Sequence, residues 1–163
     1  MCDARLFSRT KAAGIEDATA FGMTVDAHGT ILVADDSEEM RDLVRTWIAR
    51  RNHDVTIITA KSGHEVLAMI ETLFARGPVH AGPVLVITDY RMPGVDGLSL
   101  LDALAASPYD VPCIVMTGFG DAAMHERFLQ HGALASFDKP VDLDRLADVA
   151  TDVLRTLGPR ARR

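Results

Sequence analysis

The sequence predicts an α/β fold: a five-stranded parallel sheet, doubly wound, with helices on both faces. Three observations predict it. Five short apolar runs recur along the chain, each too short for a buried helix. Each is followed by a stretch with apolar residues at helical spacing, so strand and helix alternate strictly. The runs are apolar at consecutive positions, which marks strands covered on both faces.

The first run, Ile31-Leu32-Val33-Ala34, ends in Asp35-Asp36. Ser37 is placed to cap the next helix, with Glu38 and Glu39 in the first turn, where the helix dipole favours acid. Met40, Leu43, Val44, Trp47 and Ile48 recur at i, i+3, i+4, i+7 and i+8, one apolar face with Trp47 in the core. Val55-Thr56-Ile57-Ile58 is the second strand. Ser62-Gly63-His64-Glu65 has the capping-box pattern and opens a helix that buries Val66, Leu67, Ile70 and Leu73. Residues 76–83 read as a loop by their Gly and Pro content. The third strand, Val84-Leu85-Val86-Ile87, is closed by Asp89. Residues 97–106 make the third helix, with Leu98, Leu101 and Leu104 inward. Cys113-Ile114-Val115-Met116 is the fourth strand and ends in Thr117. Residues 121–131 form the fourth helix, on which His125 and His131 are spaced poorly for a shared metal and read as surface side chains. Leu134 to Phe137 is a short fifth strand before Lys139-Pro140. Asp142 caps the fifth helix, whose inner side carries Leu143, Leu146, Ala150, Val153, Leu154 and Leu157 until Gly158-Pro159 ends it.

Composition narrows the function classes. The 163 residues suit one domain with some length left over. That remainder is assigned to a mobile leader, residues 1–29, and a basic tail, residues 158–163, around a folded unit at 30–157. The net charge is −6, and residues 30–157 hold 11 basic and 19 acidic side chains, a net of −8. That disfavours direct nucleic-acid binding. No apolar window is long enough to span a membrane, and the N-terminus lacks a secretory pattern. Cys2 and Cys113 support neither a disulfide framework nor a zinc site, so a reducing cytoplasm is the simplest setting. Cys113 lies within an apolar run and reads as an inert core thiol.

The polar residues that close the strands carry the chemistry. Ligands of open parallel sheets bind at the carboxyl ends of the strands. There the chain places Asp35-Asp36, Asp89, Thr117 and Lys139. No Gly-rich loop follows the first strand, which argues against a dinucleotide site. Three carboxylates in one crevice repel each other unless a cation joins them. Mg²⁺, a hard ion that takes oxygen ligands and keeps several waters, is suited to that place. A lysine adds fixed positive charge, and a threonine hydroxyl can bond an incoming oxyanion. The set suits phosphoryl transfer to or from a carboxylate.

The order Asp-Asp, Asp-x-x-Met-Pro-Gly, Thr-Gly, Lys-Pro resembles the receiver domain of bacterial two-component response regulators, the CheY-like family, over about residues 30–157. The resemblance implies the flavodoxin/CheY-like strand order 2-1-3-4-5. It implies that Asp89 is the phosphoacceptor, supplied by a histidine kinase or a histidine phosphotransfer protein. Asp36 and Asp89 would then ligate Mg²⁺, with Asp35 acting through water and Arg91 through its backbone carbonyl. Thr117 would bond a phosphoryl oxygen, Gly118 would leave room for that group, and Lys139 would pair with Asp89 and then with the phosphoryl oxygens. The peptide before Pro140 would be cis. Such a chain promotes its own phosphorylation and dephosphorylation without being a conventional enzyme. It signals to a downstream protein by conformational change, and the family often dimerises or binds targets through helix four, strand five and helix five.

Three features depart from the commonest family pattern. Asp36 to Asp89 spans 53 positions, several more than usual, with the excess in the loop 76–83. Ser136 stands where the family often has Tyr or Phe, and strand alternation turns Phe137 to the opposite face. Val141 follows Pro140 where Phe is frequent. The leading expectation is a single-domain response regulator. The alternatives are the receiver part of a larger DNA-binding regulator or hybrid kinase, and a Mg²⁺-dependent small-molecule phosphatase. Phosphatases of that kind favour Asp-x-Asp, whereas Asp35 and Asp36 are adjacent.

Overall fold

A computed structural model describes residues 29–75 and 82–158. The expected leader and basic tail, and most of the Gly/Pro loop, lie outside those residues. The elements are β1 (Thr30–Ala34), α1 (Glu38–Arg51), β2 (Thr56–Ala60), α2 (Gly63–Phe74), β3 (Val84–Asp89), α3 (Gly97–Ala106), β4 (Cys113–Thr117), α4 (Ala122–Gln130), β5 (Ala135–Asp138) and α5 (Leu143–Leu157). All described strand pairs are parallel, as the sequence pattern predicts, in the order β2-β1-β3-β4-β5 that the resemblance implies. Every residue of β1, β3 and β4 is buried, whereas the outer strands β2 and β5 are only partly covered. The consecutive apolar runs are therefore the strands with helices over both faces.

Each face has its own core. On one side Ile31, Val33, Leu85, Ile87, Ile114, Met116 and Phe137 pack with Val44 and Ile48 of α1 and Leu146, Ala147, Ala150 and Leu154 of α5. On the other, alternate strand residues such as Leu32, Val86 and Val115 meet α2, α3 and Phe128 of α4. Phe137 is buried on the α5 side, opposite Ser136, as alternation requires.

Three caps, Ser37, Ser62 and Asp142, are where the sequence places them, and Asp96 and Asp121 add two more. Ser37, Ser62, Asp96, Asp121 and Asp142 each accept a backbone N–H three residues ahead. Glu65 departs from the reciprocal capping pattern: its carboxylate accepts from the N–H of Lys61, one residue before the cap. Two helical faces also differ from expectation. Of the α1 stripe only Val44 and Ile48 are buried, and Leu43 is 42% exposed. Trp47 lies half-buried at the rim, its indole N–H donating to Asp144 at 3.2 Å and Arg50 stacked on its ring. In α3, Leu100 rather than Leu98 is fully enclosed. The second strand begins at Thr56 and the fifth at Ala135, each one residue later than expected. Cys113 is buried, which pushes its thiol pKa up and keeps it protonated, as expected of a core thiol. Among the described residues, no helix is long and apolar enough to cross a membrane.

Candidate functional site

The register of the central strands sets up the site. Ala34 of β1 lies opposite Thr88 of β3, so Asp35 and Asp89 leave the sheet at the same level. Asp89 lies opposite Met116 of β4, which puts Thr117 one step further on, and Thr117 pairs with Asp138 of β5. Lys139 follows, with its backbone N–H donating to the Thr117 carbonyl at 2.7 Å. The Lys139–Pro140 peptide is cis, as the resemblance implies.

Asp35 and Asp89 are almost fully enclosed, with 1% and 6% of their surface exposed. The Lys139 ammonium bridges them, 2.7 Å from Asp35 Oδ2 and 2.8 Å from Asp89 Oδ1. The remaining oxygens have backbone donors: Ser37 N–H to Asp35 Oδ1 at 2.9 Å and Arg91 N–H to Asp89 Oδ2 at 3.1 Å. Asp36 is exposed, yet oxygens of Asp35, Asp36 and Asp89 all lie within 4.8 Å of one another. These three could together hold a cation. The donors are all oxygen, which fits a hard divalent ion and not a soft one.

Burial acts in opposite directions on the acid and the base. Desolvation raises the Asp89 carboxyl above its ordinary pKa, only partly offset by the bond and charge of Lys139, and the charge of Asp35 adds to the rise. Desolvation pulls Lys139 down, but its hydrogen bonds and charge contacts with Asp35 and Asp89 outweigh that and leave its pKa raised. The ammonium is therefore fixed, while the carboxylate it faces is unusually basic for an aspartate.

The structure thus brings Asp35, Asp36, Asp89 and Lys139 together. Thr117 is 1% exposed at the neighbouring strand end, where its hydroxyl accepts the Phe119 N–H at 3.2 Å. Arg91 meets Asp89 through its amide. Its guanidinium instead lies 4.7 Å over the ring of Phe119, which is 73% exposed. A Cβ on Gly118 would touch nothing, so that position is open. At Gly120, by contrast, a Cβ would crowd side-chain atoms of Asp138, His125 and Thr117.

Two residues near the site escaped the sequence reading. Arg41, one turn into α1, donates to the carbonyl of Asp35 at 2.7 Å and to that of Asp36 at 3.3 Å, and so clamps the acidic turn. Its only sequence signal is a basic side chain four residues after the cap. His125 is the other. The two α4 histidines are half-buried, not free surface groups: His125 meets Ser136 and Asp138, and His131 meets Asp102 at 2.6 Å.

Comparison with known proteins bears on this geometry. The receiver domain of response regulators matches residues 31–151. The transcriptional regulatory protein FixJ of Bradyrhizobium diazoefficiens is 30% identical over 144 residues, covering 86% of this chain and 62% of that protein. The C4-dicarboxylate transport regulator DctD of Rhizobium meliloti is 32% identical, covering 77% of this chain and 25% of its own length. This chain therefore spans less than two thirds of either relative. Sporulation initiation phosphotransferase F of Bacillus subtilis, 27% identical over 76% of this chain, is covered over 92% of its length. Among solved structures, a Francisella response regulator receiver domain superposes with a TM-score of 0.68 at 23% identity, over 78% of this chain and 98% of that one. A receiver fold, a bridged acidic crevice at its carboxyl edge and a profile match over most of the described residues together place this chain in the response regulator receiver domain family.

Proposed function

We propose that this chain accepts a phosphoryl group on Asp89 with Mg²⁺, and that it signals through the change this imposes on its β4–α4 side. The observation that carries the reading is the Lys139 bridge between two buried aspartates, with a third carboxylate within ligand distance. An Asp89 oxygen attacks the phosphorus of a phosphohistidine on a kinase or phosphotransfer protein. The P–N bond breaks, its electron pair stays on the imidazole nitrogen, and an acyl phosphate forms. Asp36 and Asp89 would hold the metal, with Asp35 acting through water and the carbonyl of Arg91 completing the protein's share. When bound, Mg²⁺ supplies charge neutralisation for the transferring oxygens. Lys139 holds the acceptor in place and then pairs with the phosphoryl group, and Thr117 bonds one of its oxygens. The folded unit is taken as residues 30–157, in the cytoplasm, and the chain acts as a phosphoacceptor rather than by turnover.

A second reading concerns what surrounds the domain. The partial spans of FixJ and DctD favour a receiver inside a longer regulator, while the 92% coverage of phosphotransferase F favours a relay protein of this size. The test of the shared core is incubation with a small phosphodonor and Mg²⁺, read by intact mass. One phosphoryl group is expected on the wild type, none without a divalent ion and none on Asp89→Asn. Labelling of Asp89→Asn at the wild-type level overturns the proposal.

A further inference from the structure

The side chain at position 136 is a serine with a specific partner. His125 Nδ1 lies 2.6 Å from Ser136 Oγ, and His125 Nε2 lies 3.0 Å from Asp138 Oδ1. A carboxylate only accepts, so Nε2 carries a proton and donates to Asp138, while Nδ1 shares a hydrogen bond with the serine hydroxyl. One imidazole thus ties the first turns of α4 to two successive same-face positions of β5. The β4–α4 loop rests on this contact. A Cβ on Gly120 would crowd Asp138 Oδ1, His125 Nε2 and the Thr117 methyl, so the loop backbone runs close against all three. A displacement of Thr117 therefore moves a loop that lies against the imidazole pair. The other end of α4 is anchored differently. Phe128 is fully buried edge-on to Tyr90 at 5.2 Å, and His131 meets Asp102 of α3.

We infer that His125 is a positioning residue that, with Ser136 and Asp138, latches the N-terminal half of α4 to β5 in the unphosphorylated chain and opens when Thr117 moves to the phosphoryl group. The latch stands where a single aromatic side chain is common, and it converts the movement into exchange of two hydrogen bonds. Helix α4 then turns about its Phe128–His131 end. The inference rests on the phosphoacceptor reading of Asp89.

The test uses the full chain and beryllofluoride with Mg²⁺, a tetrahedral stand-in for a phosphoryl group on a carboxylate. Histidine ring nitrogens are followed by long-range proton–nitrogen NMR. The His125 nitrogens are expected to shift on beryllofluoride binding, while those of His131 and the exposed His53 stay in place. Unchanged His125 nitrogens, with the backbone amides of Asp89 and Thr117 shifted, overturn the latch and leave the acceptor reading intact. No shift at Asp89 overturns the acceptor reading and the latch with it. Hydrogen exchange adds an independent readout. In Ser136→Ala, exchange at 122–126 in the free protein should accelerate about five- to tenfold, the effect of losing about one net hydrogen bond, and in His125→Ala, which loses both bonds, by more. Beryllofluoride should then accelerate it no further. A purely structural contact would speed exchange in both states and preserve the difference between them, and that result also overturns the latch.

Discussion

Two segments leave neighbouring strands at the carboxyl edge, and they are held in opposite ways. After β5 the chain passes through Lys139 into α5, which buries Leu146, Ala147, Ala150 and Leu154. The seam between α5 and α1 adds Arg51 to Asp144 and Asp148, Trp47 to Asp144, and Asn52 to Thr151. After β4 the chain passes through Thr117 and Gly120 into α4, where Phe128 alone is buried among the described residues. The rest of the α4 anchorage is Met124, only partly buried against the same core, and polar contacts through His125 and His131. A helix held by four buried side chains cannot be moved without unpacking a core. One held by a single buried ring, a partly buried methionine and hydrogen bonds can change position at a smaller cost. The fixed ammonium thus belongs to the fixed segment, and the buried hydroxyl to the movable one.

The largest expected effect breaks the anchor of each helix. Phe128→Ala should cost about 3–5 kcal/mol and Leu146→Ala about 2–5 kcal/mol, read from urea unfolding. The contrast lies in hydrogen exchange: the loss at Phe128 should concentrate in 122–130, while that at Leu146 should spread across α5, β5 and β1. Equal spreading in both would erase the distinction between the segments. Next is Lys139→Met, which leaves Asp35 and Asp89 buried without their ammonium. It should cost about 3 kcal/mol at neutral pH. The penalty should shrink as pH falls through the carboxylate range, because protonation removes the unpaired charge.

A smaller effect of opposite sign is expected at Asp89. Burial raises the pKa of Asp89, so the folded chain keeps that proton to higher pH than the unfolded one. The stability contributed by Asp89 therefore falls as pH rises out of the range near 4. Asp89→Asn should raise the urea midpoint at pH 7, with the gain closing as pH is lowered toward that range. The smallest effect is expected at the exposed α1–α5 seam. Arg51→Ala should leave the midpoint within measurement error at physiological salt, since exposed pairs are screened and contribute little. A clear loss there would mean that the fixed segment depends on its seam as well as its core.

The fold was legible because buried parallel strands and capped helices leave local marks. Ile31 to Ala34 needs no partner to read as a strand, and Asp142 caps α5 within its own neighbourhood. The acidic crevice was legible because strand ends in this topology share one edge. What a single sequence conceals is pairing between elements. His125 acquires its role from Ser136 and Asp138, eleven and thirteen residues on and across a helix–strand gap. Trp47 fitted the helical stripe, but the stripe in α1 is narrower than its spacing suggests, and Asp144 draws the indole to the rim. Arg41 clamps backbone carbonyls, a role that side-chain periodicity does not encode.

The Lys139 bridge has a consequence for the order in which the chain matures. It joins positions 104 residues apart, from the end of the first strand to the end of the last. Contacts of such separation close late, after the loop entropy of everything between them has been met. A nascent or partly unfolded chain can already display Asp35, Asp36 and Asp89 at the ends of two docked strands, β1 and β3, but it lacks the ammonium that organises them. Under the proposed function, competence to take up a phosphoryl group therefore coincides with completion of the fold, and an unfinished molecule stays silent rather than being wrongly charged.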